Sequence, residues 1–491
     1  MVGTLAVLCW PAVVFWLFAN RNPAVAFSWS VLGAYLLLPL NFSIDLPAVP
    51  TIDKTTVAAF AVMLASAALL KPDRLRALPP GMILPGFLPR SRAVRILFIL
   101  MLLGVIGTVL TNGDVLRIGP RFLPSLKFYD LLSQLGNALF GLLTFMLARK
   151  YLAHPEAQKQ ALIVLALAGL AYSLPALYEV RMSPQLSRMI YGYFPHDWRQ
   201  HVRAGGYRPV VFLPHGLWLA IFFCSTLMAI LALWRTSTGQ TRTRWLLAAI
   251  WMFMSLVLSK GVGSLGIALL LMPIVILLPV RLQMIAAAAI AGIVLTYPML
   301  RGAGLVPTGQ VVALAEQVDT QRAGSLEYRL RNEDMLLDKA NQRPLFGWGG
   351  WGRNRVFNEK GQDISVTDGY WVMRIGIGGW IGYIAQMGLL TIPIIFLGLR
   401  WRKLALTPAT AGLSLALAAN LIDLIPNAGL SSATWLMAGA LAGRLELGRL
   451  PDTDAAQVQD DALPVRRNAY SRQRKRHPAH VPDPSLFRVP G

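Results

Sequence analysis

GSLGIALLLMPIVILLPVRLQMIAAAAIAGIVLTYPM, residues 263–299, carries a single charge, Arg281, between two apolar runs. A helix needs about 20 mostly apolar residues to cross a bilayer. The runs 263–280 and 282–299 come close to that length, with Arg281 at the turn between them. This is the pattern of a membrane helical hairpin. It recurs at 3–19, 23–41, 55–71, 94–112, 129–148, 160–178, 209–232, 244–259, 374–398, 406–424 and 428–445.

Composition agrees. Of 491 residues, 55% are hydrophobic and only 14% charged, with mean hydropathy +0.52. Soluble domains carry about 25% charged residues. Too little charge remains to cover a soluble enzyme of this length, and a disordered chain or a disulfide-built secreted domain is excluded as well. The expected fold is an all-α polytopic membrane protein with about 12–13 transmembrane helices and a long, partly helical outer loop. Residues 1–18 lack a basic n-region and an A-x-A-like cleavage site, so they read as a first span. Cys9 and Cys224 lie in apolar runs and offer no disulfide framework or metal-site spacing.

The net charge of +22 reads as topology, not nucleic-acid binding, because Lys and Arg hold cytoplasmic loops inside. Arg21, Arg74, Arg76, Arg90, Arg92, Arg95, Arg149, Lys150, Lys159, Arg235, Arg242, Arg244, Arg281, Arg400, Arg402 and Lys403 fall on one side. That side is expected to be cytoplasmic. The other receives 42–54, 113–128, 179–208, 260–262, 300–373 and 425–427, with Arg117, Arg121 and Lys127 against the trend. The polar segment 451–491 is expected to be a disordered cytoplasmic tail, which leaves 1–450 as the membrane domain. Asp45, Asp130, Glu179, Lys260 and Asp423 sit near outer ends of spans, none at a midplane. Transporters use midplane groups and broken helices, so this placement argues against transport.

Two outer loops hold the chemistry. The first, 179–208, carries Arg181, Arg188, Arg199, Arg203 and Arg208 against only Glu179 and Asp197. Guanidinium is the best planar, permanent partner for phosphate oxygens; the plain alternative is lipid-headgroup contact. His196, His201 and His215 lie near this cluster, but their irregular spacing points to no metal. The second, 300–373, holds a predicted helix over 325–342, with Glu327–Arg331 and Arg329–Glu333 each four apart, the spacing of helical ion pairs. Next comes GWGGWG (347–352). It matches GxGxxG formally but follows a helix, so it is no dinucleotide site. Trp348 and Trp351 are candidates for stacking on sugar faces or for an interfacial belt. Asp452-Thr453-Asp454 matches a D-x-D but lies in the expected tail.

These features resemble the O-antigen ligase/O-antigen polymerase family of bacterial inner-membrane glycan transferases. The likeness is most specific over 325–390: Arg329 and Arg331 on a helix, PLFGWGGWG (344–352), Thr367-Asp368-Gly369, then RIGIGGWIGYIAQMGLL (374–390). GGYRPVVFLPHG (205–216) and LSKGVGS (258–264) are weaker matches. The chain departs from the family at Asp368-Gly369, where the family has His-Asn, and at Lys260, where it has Arg.

The resemblance implies transfer of a glycan from a polyprenyl-diphosphate carrier to a glycan or lipid-A-type acceptor hydroxyl, on the periplasmic side of the inner membrane, without metal or cofactor. Asp368, Arg331 and Arg329 are the expected catalytic residues. Arg208, Arg203, Lys260 and Arg181 are expected on the diphosphate, and Trp348 and Trp351 on the sugar. Asp368 in place of His points to polymerase over ligase. A polytopic lipid or solute transporter or flippase is the alternative.

Overall fold

The structure, a computed structural model, describes residues 2–44, 51–203, 205–318 and 320–449. Asp45 and the segment 451–491 lie outside the described residues. In chain order the helices are α1 (Val2–Asn20), α2 (Pro23–Leu37), α3 (Lys54–Leu69), short α4 (Pro72–Arg76), α5 (Arg92–Leu110), α6 (Phe128–Tyr151), α7 (Pro155–Met182), short α8 (Leu186–Tyr191) and α9 (Gly216–Thr236). Then come α10 (Gly239–Leu258), α11 (Val262–Leu277), α12 (Val280–Gly302), α13 (Thr308–Val318), α14 (Thr320–Asn341), α15 (Tyr370–Leu399), short α16 (Trp401–Leu404), α17 (Pro408–Asp423) and α18 (Ser432–Leu447).

A helix stands at each of the thirteen apolar runs. Seven of them, α1, α5, α6, α7, α9, α12 and α15, are long and apolar enough to cross a membrane. The apolar α2, α3 and α11 are shorter; at 1.5 Å per residue, about 16 residues span only ~24 Å. The protein is an all-α membrane protein, with, among the described residues, two small antiparallel hairpins in its loops: β1 (Leu116–Ile118) with β2 (Arg121–Leu123), and β3 (Val202–Arg203) with β4 (Gly206–Tyr207).

Caps and prolines fix several boundaries. Asn22 accepts from the Val25 N–H, Asp53 from Thr55 and Thr56, and His154 from Glu156, each satisfying free N–H groups of a first turn. Pro23, Pro155 and Pro408 open α2, α7 and α17, where a missing N–H costs nothing. Helix α7 therefore starts before its apolar run and ends at Met182, which takes Glu179 and Arg181 out of the loop and into the helix.

The core centres on α9, buried along most of its length against α7, α10, α11 and α17. Buried polar side chains bridge helices: Asn420 Nδ2 donates to Ser225 Oγ at 2.6 Å, and Thr434 Oγ1 to Asn420 Oδ1 at 3.0 Å. Gly439 and Gly443 let α18 touch the α6 backbone at the carbonyls of Phe145 and Arg149, the close approach that small residues four apart permit.

Side-chain bonds sort the helix ends into two groups. At one end Arg74 donates to the carbonyls of Phe18 and Arg21, buried Arg149 pairs with Glu446 at 2.6 Å, and Arg235 donates to the Val275 and Leu278 carbonyls. The opposite end carries the two Arg-bearing loops and the candidate site.

Candidate functional site

The site is built on a break in α15. Gly379 has φ 64° and ψ −172°, which interrupts the helix. Pro344–Gly349 fills the gap: Trp348 N–H donates to the Gly376 carbonyl at 2.8 Å, Gly349 to Ile377 at 2.9 Å, Trp380 to Pro344 at 2.8 Å and Ile381 to Leu345 at 3.3 Å. A Cβ on Gly379 would run into the Leu345 carbonyl, and one on Gly347 (φ 68°) into the Ile377 backbone. Glycine is required at both, for the positive φ and for the close approach.

The same turn is tied to α5. Thr108 Oγ1 donates to the Phe346 carbonyl at 2.6 Å, and Asn112 Nδ2 to the Gly347 carbonyl at 2.9 Å. Below it, Asp114 accepts from Arg343 Nη2 at 2.7 Å and from fully buried Arg353 at 3.2 Å. The Arg343 hydrogen bond holds the Asp114 carboxyl below its ordinary range.

Helix α14 is braced against this frame. Arg301, at the end of α12, pairs with Asp334 at 2.8 Å. Buried Asn332 accepts from the Val366 N–H at 2.9 Å, which fixes the strand of chain leading to Asp368. Arg329 then meets that chain: its Nε lies 3.2 Å from Asp368 Oδ2, with the two side chains 37% and 34% exposed. Asp368 is not the cap of α15. The N-cap is Gly369, which has no side chain.

Glu333, one turn beyond Arg329, was expected to pair with it. It does not. Glu333 is 5% exposed, and its Oε2 has no hydrogen-bond partner among the described residues. It lies against Gly369 and the Trp371 indole. Burial raises its carboxyl to about 7, against the opposing charge of Arg301, and the Asp334 and Asp368 carboxylates raise it further. Sequence spacing hid this residue, because an i,i+4 Arg–Glu pair looks like a solvated face.

The first loop supplies the remaining cations. Arg208 is buried; its Nη2 donates to the Lys260 carbonyl at 3.1 Å and its Nε has no partner among the described residues. No described carboxylate forms an ion pair with it. Burial lowers its pKa to about 10, with Arg203 and then Arg329 adding to the effect, so cations from both loops stand within electrostatic reach of one another. Lys260 Nζ donates to the Arg203 carbonyl at 2.7 Å, fastening this loop to the end of α10. Glu179 anchors it from the other side: its Oε2 accepts from the Val210 and Val211 N–H groups, each at 2.8 Å.

His196, His201 and His215 do gather, with ring centroids 4.8 to 6.2 Å apart. Burial lowers His201 to about 4 and His215 to about 3, with neighbouring histidines and arginines adding to it. Among the described residues no group of His, Cys, Asp and Glu is arranged to hold a metal.

The other expected site residues fall outside this cluster. Arg331 points to the opposite face of α14, 78% exposed, 3.5 Å from Glu327; the spacing that flagged it is an ordinary helical ion pair. Arg181 is exposed on the last turn of α7. Trp348 is buried, its indole donates to the Lys339 carbonyl at 2.7 Å, and Lys339 and Arg343 cover its ring at 3.5 and 4.2 Å. It is a packing residue here and presents no face to a sugar. Trp351, by contrast, is 65% exposed and borders a cavity.

No protein-family model matches the chain, and no curated protein matches it in sequence.

Proposed function

We propose that the protein is a membrane glycan polymerase or ligase of the O-antigen ligase/polymerase type. It would take glycan from a polyprenyl-diphosphate carrier and pass it to an acceptor hydroxyl on the periplasmic face of a bacterial inner membrane. The observation that carries this is the pairing of Arg329 with Asp368 at 3.2 Å, with buried Arg208 in electrostatic reach of Arg203 and Arg329, at the loop-bearing end of a membrane bundle.

The chemistry follows from those groups. The acceptor oxygen attacks the anomeric carbon, and the anomeric C–O bond breaks with its electron pair passing to the diphosphate. Arg208 and Arg329 face that growing charge; fixed cations in a site of low dielectric stabilise it more than water does. Asp368, a third exposed, takes the hydroxyl proton.

A second reading, a polytopic lipid or solute transporter or flippase, draws on the break in α15, since broken helices build transporter sites. One experiment separates the two. Purified full-length protein in proteoliposomes is given a polyprenyl-diphosphate-linked oligosaccharide and an acceptor. Release of polyprenyl diphosphate with a lengthened glycan, lost in Arg208→Ala and Arg329→Ala, supports transfer. Movement of intact lipid-linked glycan across the bilayer with no new glycosidic bond overturns it.

A further inference from the structure

The cavity beside Trp351, of about 810 Å³, lies between α5, α6, α15 and α18 and is bordered by the Gly350–Trp351 turn. Its walls include Asp130, Gln134 and Asn137 of α6 and Arg374 and Gln386 of α15. Its surroundings are apolar helices, where polar side chains are costly and normally functional.

Two of these groups lack protein partners that would explain them. Gln386 is 9% exposed, and its Oε1 has no hydrogen-bond partner among the described residues. Arg374 makes one long hydrogen bond, from Nε to the Gly382 carbonyl at 3.4 Å, and no ion pair with a described carboxylate. A buried amide oxygen left open is costly, so a cavity that keeps one suits something that donates to it.

The mixture of groups selects the ligand. Asp130, whose Oδ2 already accepts from the Lys127 N–H at 2.7 Å as the cap of α6, and the Gln386 oxygen accept hydrogen bonds; Arg374, Gln134 and the Asn137 amide donate. Asn137 Oδ1 is already taken by the Thr51 N–H at 3.0 Å, which turns its NH₂ outward. A bare phosphate would meet the Asp130 carboxylate and be repelled. A hydroxyl is both donor and acceptor, and it suits alternating partners of this kind. Trp351, exposed at the rim, offers the apolar face that a sugar ring covers. The volume lies within the range of about 300–1,000 Å³ that small-ligand pockets occupy.

We propose that this cavity binds a saccharide, holding part of the glycan apart from the Arg203–Arg208–Arg329 cluster. The assignment rests on the glycan-transfer proposal above. It is tested by placing the photo-crosslinker p-benzoylphenylalanine at Ser133, on the cavity wall, or at Tyr328, beside Arg329, in the full chain in glycan-producing cells. Ultraviolet light is expected to give a slow-migrating, periodate-sensitive adduct from both positions. Arg374→Gln is expected to lower the Ser133 adduct about tenfold at equal protein level, the loss of one hydrogen bond to a charged group, and Gln386→Leu about fivefold, the loss of a neutral one; both leave the Tyr328 adduct in place. An adduct at Tyr328 with none at Ser133 overturns the cavity assignment and leaves glycan transfer standing. Adducts at neither position overturn both. A periodate-resistant lipid adduct at Ser133 replaces the saccharide with a lipid and also overturns the proposal.

Discussion

Arg329 and Asp368 are thirty-nine positions apart in sequence and 3.2 Å apart in space, so the loop helix and the entrance of α15 share one ion pair. Its partners are a third exposed. Its importance therefore lies in aiming two groups, since exposed pairs add at most about 1 kcal/mol of stability.

Arg329→Ala is expected to abolish glycan product with normal membrane accumulation, and Arg329→Lys to rescue poorly, because an ammonium lacks the planar fork. Arg331→Ala is expected to leave product unchanged and stability within ~0.5 kcal/mol, since Arg331 is 78% exposed and its one ion pair among the described residues is with Glu327. Quantifying glycan from both variants side by side checks this; equal loss in both would move the site to the outer face of α14.

Asp368→Asn is expected to slow transfer roughly 100-fold or more, the usual scale for a lost general base. The cap of α15 is Gly369, so no helix-capping loss enters the comparison. Turnover measured at matched protein level decides it, and near-normal turnover would remove Asp368 from the proton transfer.

Glu333 gives the pH dependence. Its carboxyl stands near 7 in the folded protein against an ordinary 4.5, so the folded state holds the proton more tightly. The stability it contributes is full below about pH 4.5 and is lost as pH rises through about 7. Glu333→Gln, which imitates the protonated form, is expected to melt higher than the parent at pH 8 and equally at pH 4. Melting curves of the variant and the parent at the two pH values measure this, and equal melting at pH 8 would show that the Glu333 charge costs the fold nothing.

Gly379→Ala is expected to lower accumulation of folded protein, because the new methyl meets the Leu345 carbonyl at a positive φ. Asp114→Ala should act in the same direction through a different cause: Arg353, fully buried, keeps its charge and loses its only described carboxylate. Its penalty is about 1–3 kcal/mol, discounted because Asp114 itself is 43% exposed. Size-exclusion of a fluorescent fusion after heating measures both.

Cysteine placed at Gln310, exposed on α13, is expected to react with an impermeant thiol reagent in intact spheroplasts, and cysteine placed at Ser471 is not. The reverse pattern would invert the orientation drawn from the Lys and Arg distribution.

The helices were legible in the sequence because a long apolar run has few other fates. The break in α15 was not, since RIGIGGWIG satisfies hydropathy whether or not the backbone continues. Arg208 was found by the chemistry of its loop, Arg329 by the predicted helix and Asp368 through the family resemblance, yet the pairing of Arg329 with Asp368 is a tertiary fact. Local spacing gave Glu333 to Arg329 as a partner; the structure gives Arg329 to Asp368 and buries Glu333. Trp348 and Trp351 are equivalent in the motif, and only packing turns one inward and the other to a cavity rim.

Four main-chain bonds stitch Pro344–Gly349 to the turns on either side of Gly379. A turn sewn to a transmembrane helix has no hinge of its own, unlike the loops that swing shut over many soluble active sites. It travels only as fast as the helix beneath it. A push on this turn is therefore a push on the transmembrane helix, and the loop end and the membrane core are mechanically one piece there.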